Sequence, residues 1–245
     1  MNKQIVKNII KREKFFPGII GFFINHNFLI RIGLKKGIQQ NANRLEGKLL
    51  DFGCGSKPYK ELFEKADEYI GIDLKIEGRE ENHQYVDKFY DGKVIPFDDN
   101  TFDSLLCTEV LEHVFNIEEL LKEFNRVLKK GGKALITTPF MWEEHEMPYD
   151  YARYTTPALM HLYKKHGFEV IHTFKTGNYI EVISQFSLNY IKNILPSNKI
   201  IRQIILLPFI FLFNLFGLIF GLILPKDQTA YFNNIFILEK SVNNY

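Results

Sequence analysis

From Lys48 onward the chain alternates short apolar runs with stretches of helical periodicity, and this alternation constrains its fold more than any other feature. Seven runs read as strands: Lys48–Phe52, Tyr69–Asp73, Gln84–Asp87, Asp103–Cys107, Lys133–Thr138, Phe168–Lys175 and Asn234–Lys240. Between the fourth and fifth, Ile117, Leu120, Leu121, Phe124, Val127 and Leu128 recur at helical spacing, with Gly131 as the expected stop. Another helix is expected from Thr156, with Pro157 in its first turn, to Gly167. The pattern calls for an α/β fold with a mostly parallel sheet covered on both faces. A chain of 245 residues that is 46% hydrophobic can bury a sizeable core, which excludes a disordered tail or a small disulfide scaffold. Cys54 and Cys107 are the two cysteines and read as small buried residues, which suits a reducing compartment. A net charge of +2 leaves no footprint for nucleic acid.

The most informative stretch is Leu49-Leu50-Asp51-Phe52-Gly53-Cys54-Gly55-Ser56-Lys57-Pro58. A strand runs into two glycines separated by one residue, so the backbone can turn tightly and a ligand can approach it closely. Asp73 ends the next strand, 18 residues after Gly55, where a carboxylate can accept hydrogen bonds from ribose hydroxyls. Ser56-Lys57-Pro58 stands where a dinucleotide site would place its third glycine. Asp51 would repel a pyrophosphate there and attract an ammonium.

These residues resemble the first motif of class I S-adenosylmethionine-dependent methyltransferases. Tyr69–Asp73 looks like that family's second strand, and Pro96–Asp103 followed by Leu105–Val114 is similar to its fourth-strand motif. Glu123–Gly132 resembles the helix and turn before its fifth strand. The resemblance extends to methyltransferases of cell-surface polysaccharide and lipid-linked sugar pathways. It implies a Rossmann-like sheet of seven strands, the last antiparallel, with S-adenosylmethionine as cofactor. It further implies that Gly53, Cys54 and Gly55 form the loop around the cofactor's methionine part, with Asp51 near its amino group. Asp73 would bind the ribose, Asp87 at the end of the third strand would lie near the adenine, and Thr108 and Glu109 would line the pocket near the sulfonium.

The run from Thr138 to Thr155 carries the only tryptophan, Trp142, together with His145, Glu146, Asp150, Arg153 and Tyr154. His145 is the candidate general base for the acceptor, with Asp150, Arg153 and Tyr154 holding it or the acceptor. The competing reading is a structural loop braced by an Asp–Arg pair. His113 could be a second base, but a locally hydrogen-bonded structural role is expected for Glu112-His113. A metal held by His145, Glu146 and Asp150 lacks a further spaced His or Cys, and no metal is expected.

Ile204–Leu224 is 21 residues without a charge, about 31 Å as one helix, enough to match a hydrocarbon core. A single crossing would strand Asn234–Lys240 on the wrong side, so two outcomes remain. The segment enters one leaflet and returns, bending at Pro208 or around Asn214–Gly217, or lies in the interface. Otherwise it forms a dimer or covers the core. Lys192, Lys199, Arg202 and Lys226 flank it, as expected at a cytoplasmic membrane face. Gly217 and Gly221 form a GxxxG match too common to decide between these outcomes. The N-terminus opens with Lys3, Lys7, Lys11, Arg12 and Lys14 before an apolar run, but Pro17-Gly18 and Asn25–Asn27 break that run and no cleavage site follows. The expected organisation is an amphipathic helical region at 1–47, a catalytic domain at 48–178 and 230–245, and a hydrophobic insertion at 179–229.

The chain therefore reads as a cytoplasmic methyltransferase, peripheral or monotopic at the inner membrane face through 180–225. Its acceptor would be a small molecule or lipid-linked species, methylated on oxygen of a glycan or lipid-linked intermediate; an oligomer stays open. A non-catalytic nucleoside-binding scaffold for a membrane complex and a nicotinamide-dependent oxidoreductase are the alternatives.

Overall fold

The apolar runs pair as seven strands in a computed structural model that describes residues 9–10, 12–75 and 84–242. They are β1 (Gly47–Phe52), β2 (Ala66–Leu74), β3 (Lys88–Tyr90), β4 (Phe102–Thr108), β5 (Leu128–Pro139), β6 (Phe168–Lys175) and β7 (Asn233–Lys240). One sheet holds them in the order β3-β2-β1-β4-β5-β7-β6. The pairs β1–β2, β1–β4, β2–β3 and β4–β5 are parallel. β6 and β7 run antiparallel: Thr176 exchanges backbone hydrogen bonds with Phe232 and Asn233 at one end, and Ser241 N donates to Gly167 O at the other. The seven-stranded, mostly parallel architecture expected from the alternation is the one observed.

Register fixes where ligands can gather. Phe52 lies opposite Ile72 of β2 on one side and Cys107 of β4 on the other. Residues 53–55, Asp73 and Thr108 therefore emerge together at the carboxyl ends of three adjacent strands. Here the strand order switches direction, the place where open α/β sheets bind ligands.

The helices are α1 (Ile19–Ile24), α2 (Phe28–Asn41), α3 (Ile117–Val127), α4 (Thr156–Lys165), α5 (Tyr179–Ile194) and α6 (Lys199–Ile223). Ile117, Leu120, Leu121, Phe124 and Val127 form the buried stripe of α3 against the sheet. Thr155 caps α4, and Pro157 sits in its first turn where no N–H is needed.

Three expectations need correction. The third strand is Lys88–Tyr90, not Gln84–Asp87, because Gly71 N–H meets the Asp87 side chain and ladder pairing with β2 begins only at Lys88. Asp87 thus precedes β3 instead of ending it. Gly131 does not stop α3, which ends at Val127; it takes a left-handed turn (φ 73°) inside the β5 run, where a register shift separates the Leu128 and Lys133 pairings. Finally, α6 is a single helix of 25 residues through Pro208, so no return is made at Pro208 or at Asn214–Gly217.

The chain divides into two compact units, Ile38–Phe174 with Asn234–Tyr245, and Met1–Gly37 with Lys175–Asn233. The first carries the sheet and its core. In the second, Leu206, Ile210, Asn214 and Gly217 make the buried stripe of α6. Asn214 donates to Phe22 O (2.8 Å), which makes it an anchor to α1 instead of a bend. Gly217 lets Leu29 and Ser184 approach, and Gly221 faces Asn178 and Glu181, so the GxxxG pair packs within the chain. Lys3, Lys7 and Lys11 lie outside the described residues.

Candidate active site

The glycine turn is built as its residue types require. Gly53 (φ 70°) and Gly55 (φ 49°) both take left-handed backbone. A Cβ on Gly53 would fall 2.4 Å from Val110 Cγ2, whereas one on Gly55 would meet nothing within 4 Å. The first glycine is thus forced by packing below, and the second faces open space. Gly53 N and Cys54 N both donate to Ile72 O, tying the turn to β2. The Cys54 side chain is buried toward Gly71, and desolvation pushes its thiol pKa up, so it packs and does not react.

Asp73 turns back to the same loop, its Oδ2 accepting from Gly55 N (2.8 Å) and its Oδ1 from Leu74 N (2.8 Å). Asp51 is fully buried at the end of β1; burial raises its pKa to about 7, against the opposing hydrogen bond from Tyr69 Oη (2.6 Å). Asp87 pairs with Lys57 and accepts from Gly71 N (2.7 Å), which brings it beside the turn although its strand assignment shifted. Thr108 ends β4 and is followed by Glu109 at φ 54°, an uncommon backbone conformation for a residue of this kind. Thr137 of β5 holds it, with its carbonyl and hydroxyl oxygens accepting from Glu109 N and its hydroxyl donating to Glu109 Oε1 (2.7 Å).

The second cluster comes from the loop after β5. Arg153 grips Asp150 through both terminal nitrogens (2.6 and 2.7 Å), and Asp150 Oδ2 also accepts from His145 N (2.9 Å). Burial alone would raise the Asp150 pKa, but the Arg153 hydrogen bonds outweigh it and bring the carboxyl down to about 2. His145 Nδ1 lies 3.2 Å from Asp150 Oδ2 and 3.3 Å from Arg153 Nη2. Desolvation lowers the His145 pKa against the pull of Asp150, leaving the ring neutral near pH 7. Tyr151 N and Ala152 N both donate to Glu112 O, and His113 Nδ1 donates to Tyr149 O (2.7 Å). These bonds stitch the loop to the short turn Leu111–His113 and bring the His113 and His145 rings to 4.9 Å. Tyr154 stands apart, half-buried against the core of the sheet, with its carbonyl accepting from Asn234.

Residues 29–174 match the family model described as a methyltransferase domain. That is more than half of the chain. The chain belongs to the methyltransferase domain family. An uncharacterized protein of Methanocaldococcus jannaschii is 32% identical over 129 residues, covering 49% of this chain and 54% of that protein. The demethylmenaquinone methyltransferase of Anoxybacillus flavithermus is 28% identical over 156 residues, covering 57% of this chain and 66% of that enzyme. The 2-methoxy-6-polyprenyl-1,4-benzoquinol methylase of Bos taurus is 32% identical over 81 residues, 33% of this chain and 21% of the methylase. The match to the first of these relatives thus spans about half of its length. Among solved structures, the cyclase SpnF superposes with a TM-score of 0.57 at 17% identity, covering 87% of this chain and 83% of that one. An S-adenosylmethionine-dependent methyltransferase from Mesorhizobium loti gives 0.54 at 11% identity, covering 84% and 97%. These two likenesses are of fold.

The cofactor of this methyltransferase family is S-adenosylmethionine, and the residues present fit it. Open space beside Gly55, the Asp73 carboxylate at the end of β2 and the buried Asp51 side chain fit a cradle, a ribose acceptor and a partner for an ammonium. The sequence reading missed Tyr69, which holds Asp51; Thr137, which holds Glu109; Lys57, which neutralises Asp87; and Glu112. For Tyr69 a signal existed, since it lies two residues before Gly71, the partner of Asp51 in the parallel register. The others depend on contacts between segments far apart in sequence.

Proposed function

We propose that the chain transfers a methyl group from S-adenosylmethionine to an oxygen of a glycan or lipid-linked acceptor at a membrane surface. The observation carrying this is the convergence of Gly53, Gly55, Asp51 and Asp73 at one strand edge with the His145 loop on the chain segment that follows β5. When bound, the cofactor supplies a methyl on a sulfonium with a neutral leaving group, so no general acid is required. Asp73 orients the ribose, Asp51 meets the amino group, Asp87 stands on the adenine side, and Thr108 and Glu109 wall the pocket. Asp150 and Arg153 set the His145 ring on the acceptor side. Its neutral imidazole can take the acceptor's proton or bind a cation that makes that proton easier to lose.

Exposed aromatic rings support an amphiphilic or sugar acceptor: Phe115 and Tyr151 meet edge to face (5.5 Å), and Tyr149 is exposed on the same loop as Tyr151. The relatives named for a polyprenyl benzoquinol and for demethylmenaquinone support an acceptor with an apolar part. Membrane attachment is supported by α6, whose outer residues Ile204, Leu212, Ile219 and Leu222 are exposed, with Lys199 and Arg202 at one end and Lys226 beyond the other.

The test is a thermal shift. S-adenosylhomocysteine should raise the melting temperature and NAD should not, and Asp73→Ala should abolish the response. Radiolabelled cofactor incubated with the protein and a lipid extract should then label an organic-soluble product. A shift with NAD alone would refute the reading, and a strong S-adenosylhomocysteine shift without transfer to any extract would favour the scaffold alternative.

A further inference from the structure

We propose that Glu112, His113 and His145 form a binding site for one divalent first-row transition-metal cation. One ligand atom from each lies within 4.8 Å of the other two. The His113 Nε2 to Glu112 Oε1 separation, 3.7 Å, is close to the ~3.4 Å edge of a tetrahedral site with bonds of about 2.1 Å. Glu112 is the second, independent sign. Its side chain is 1% exposed, and neither carboxylate oxygen has a hydrogen-bond partner. A buried carboxyl whose oxygens accept no hydrogen bond is costly, and a cation is a partner that would answer both of them.

The histidines are prepared in the manner of metal ligands. His113 donates its Nδ1 proton to Tyr149 O (2.7 Å), which fixes the tautomer and turns the lone pair of Nε2 toward Glu112. His145 Nδ1 sits between Asp150 and Arg153, and a cation on Nε2 selects the tautomer that donates to Asp150. Glu146, at φ 54°, brings Oε2 to 3.8 Å from His113 Nε2 on the more exposed side, the position of a fourth ligand or of an exchangeable one. Asp150 is not a ligand, because Arg153 takes both its oxygens. The trio thus differs from the His145, Glu146 and Asp150 set considered from sequence, and the proposal runs against the sequence expectation of no metal. Two imidazoles with a carboxylate suit zinc, manganese, iron or cobalt better than magnesium or calcium.

The site itself follows from these residues alone. Its consequence rests on the methyltransferase reading: a cation beside the acceptor loop would hold a hydroxyl and lower its pKa, making His145 a ligand instead of the base.

Titration of the full chain with Co²⁺ tests the site. One equivalent should bind with the visible absorption of a four- or five-coordinate nitrogen–oxygen site. Glu112→Gln and His145→Ala should each weaken binding more than tenfold, and Asp150→Asn, which weakens the support of His145 and the pair with Arg153 without removing a ligand, by roughly tenfold. The thermal shift with S-adenosylhomocysteine should survive in each variant, which reports that it folds. A wild-type spectrum that stays that of the hydrated ion overturns the site, as does equal binding by wild type, Glu112→Gln and His145→Ala. Absence of the S-adenosylhomocysteine shift in wild type would instead overturn the cofactor reading and leave the cobalt result standing.

Discussion

Asp51 is the residue whose chemistry is most directly readable in solution. Burial raises its folded pKa to about 7 from an ordinary 3.8, so its folded form keeps a proton that the unfolded chain has lost. Its contribution to stability is full below pH 3.8 and is lost as pH rises through about 7; Asp51→Asn should remove that slope from the melting profile of the ligand-free protein. The ammonium of the cofactor favours the ionised form. S-adenosylhomocysteine should therefore bind more tightly as pH rises from about 6 to about 8, and the variant should show no such gain by calorimetry. Asp150 carries the opposite sign. Its pKa of about 2 means that its contribution is present above 3.8 and lost as pH falls through about 2. Asp150→Ala leaves Arg153 unpaired and should destabilise the protein by about 3 kcal/mol in urea melts. The loop was legible as a cluster of chemistry-bearing residues, but Glu112 was not. The sequence marks Glu112-His113 as a structural element, but the burial of the Glu112 side chain depends on the distant Tyr151 and Ala152, which fold back onto its backbone carbonyl.

The glycine turn after β1 separates two roles that look identical in sequence. Gly53→Ala drives a methyl into Val110 and strains a φ of 70°, so both stability and S-adenosylhomocysteine binding should fall. Gly55→Ala adds a methyl to open space at φ 49°, with a stability loss of about 1–2 kcal/mol but a much larger loss of cofactor affinity, because that space is where the ligand would lie. Comparable losses of affinity in both variants, each proportional to lost stability, would show that Gly55 is only a turn. Elements were legible where periodicity was long and both neighbours were strong. β1 and β2 and the stripe of α3 are of this kind. The third strand was misplaced because its three residues pair at the sheet edge, and Asp87, which looked like a strand end, is held by Lys57 and Gly71. Gly131 misled because a glycine after an apolar helical stripe usually ends a helix, whereas here it turns the chain within β5.

At the scale of the whole molecule, the apolar excess of the sequence is concentrated in the unit formed by Met1–Gly37 and Lys175–Asn233. At 1.5 Å per residue, the 25 residues of α6 extend about 37 Å, and only one stripe of them is buried. The same unit exposes Ile19, Ile20 and Phe23 of α1 and Ile183, Tyr190 and Ile194 of α5. Scattered apolar residues are ordinary on a protein surface, but a run in which Ile200, Ile204, Leu212, Leu222 and Ile223 are each more than half exposed is not. Under the proposed membrane attachment a lipid surface would cover such a run, and the basic residues at its two ends would add attraction to anionic headgroups. The full chain should therefore float with vesicles containing anionic lipid, more weakly at high salt, and Ile204→Gln with Leu212→Gln and Ile219→Gln should abolish flotation. The triple variant alters positions outside the buried stripe, so its thermal shift with S-adenosylhomocysteine should match wild type. If the wild-type chain instead stays in the aqueous fraction as a dimer, and the triple variant is monomeric, a second copy covers this face and the membrane reading fails.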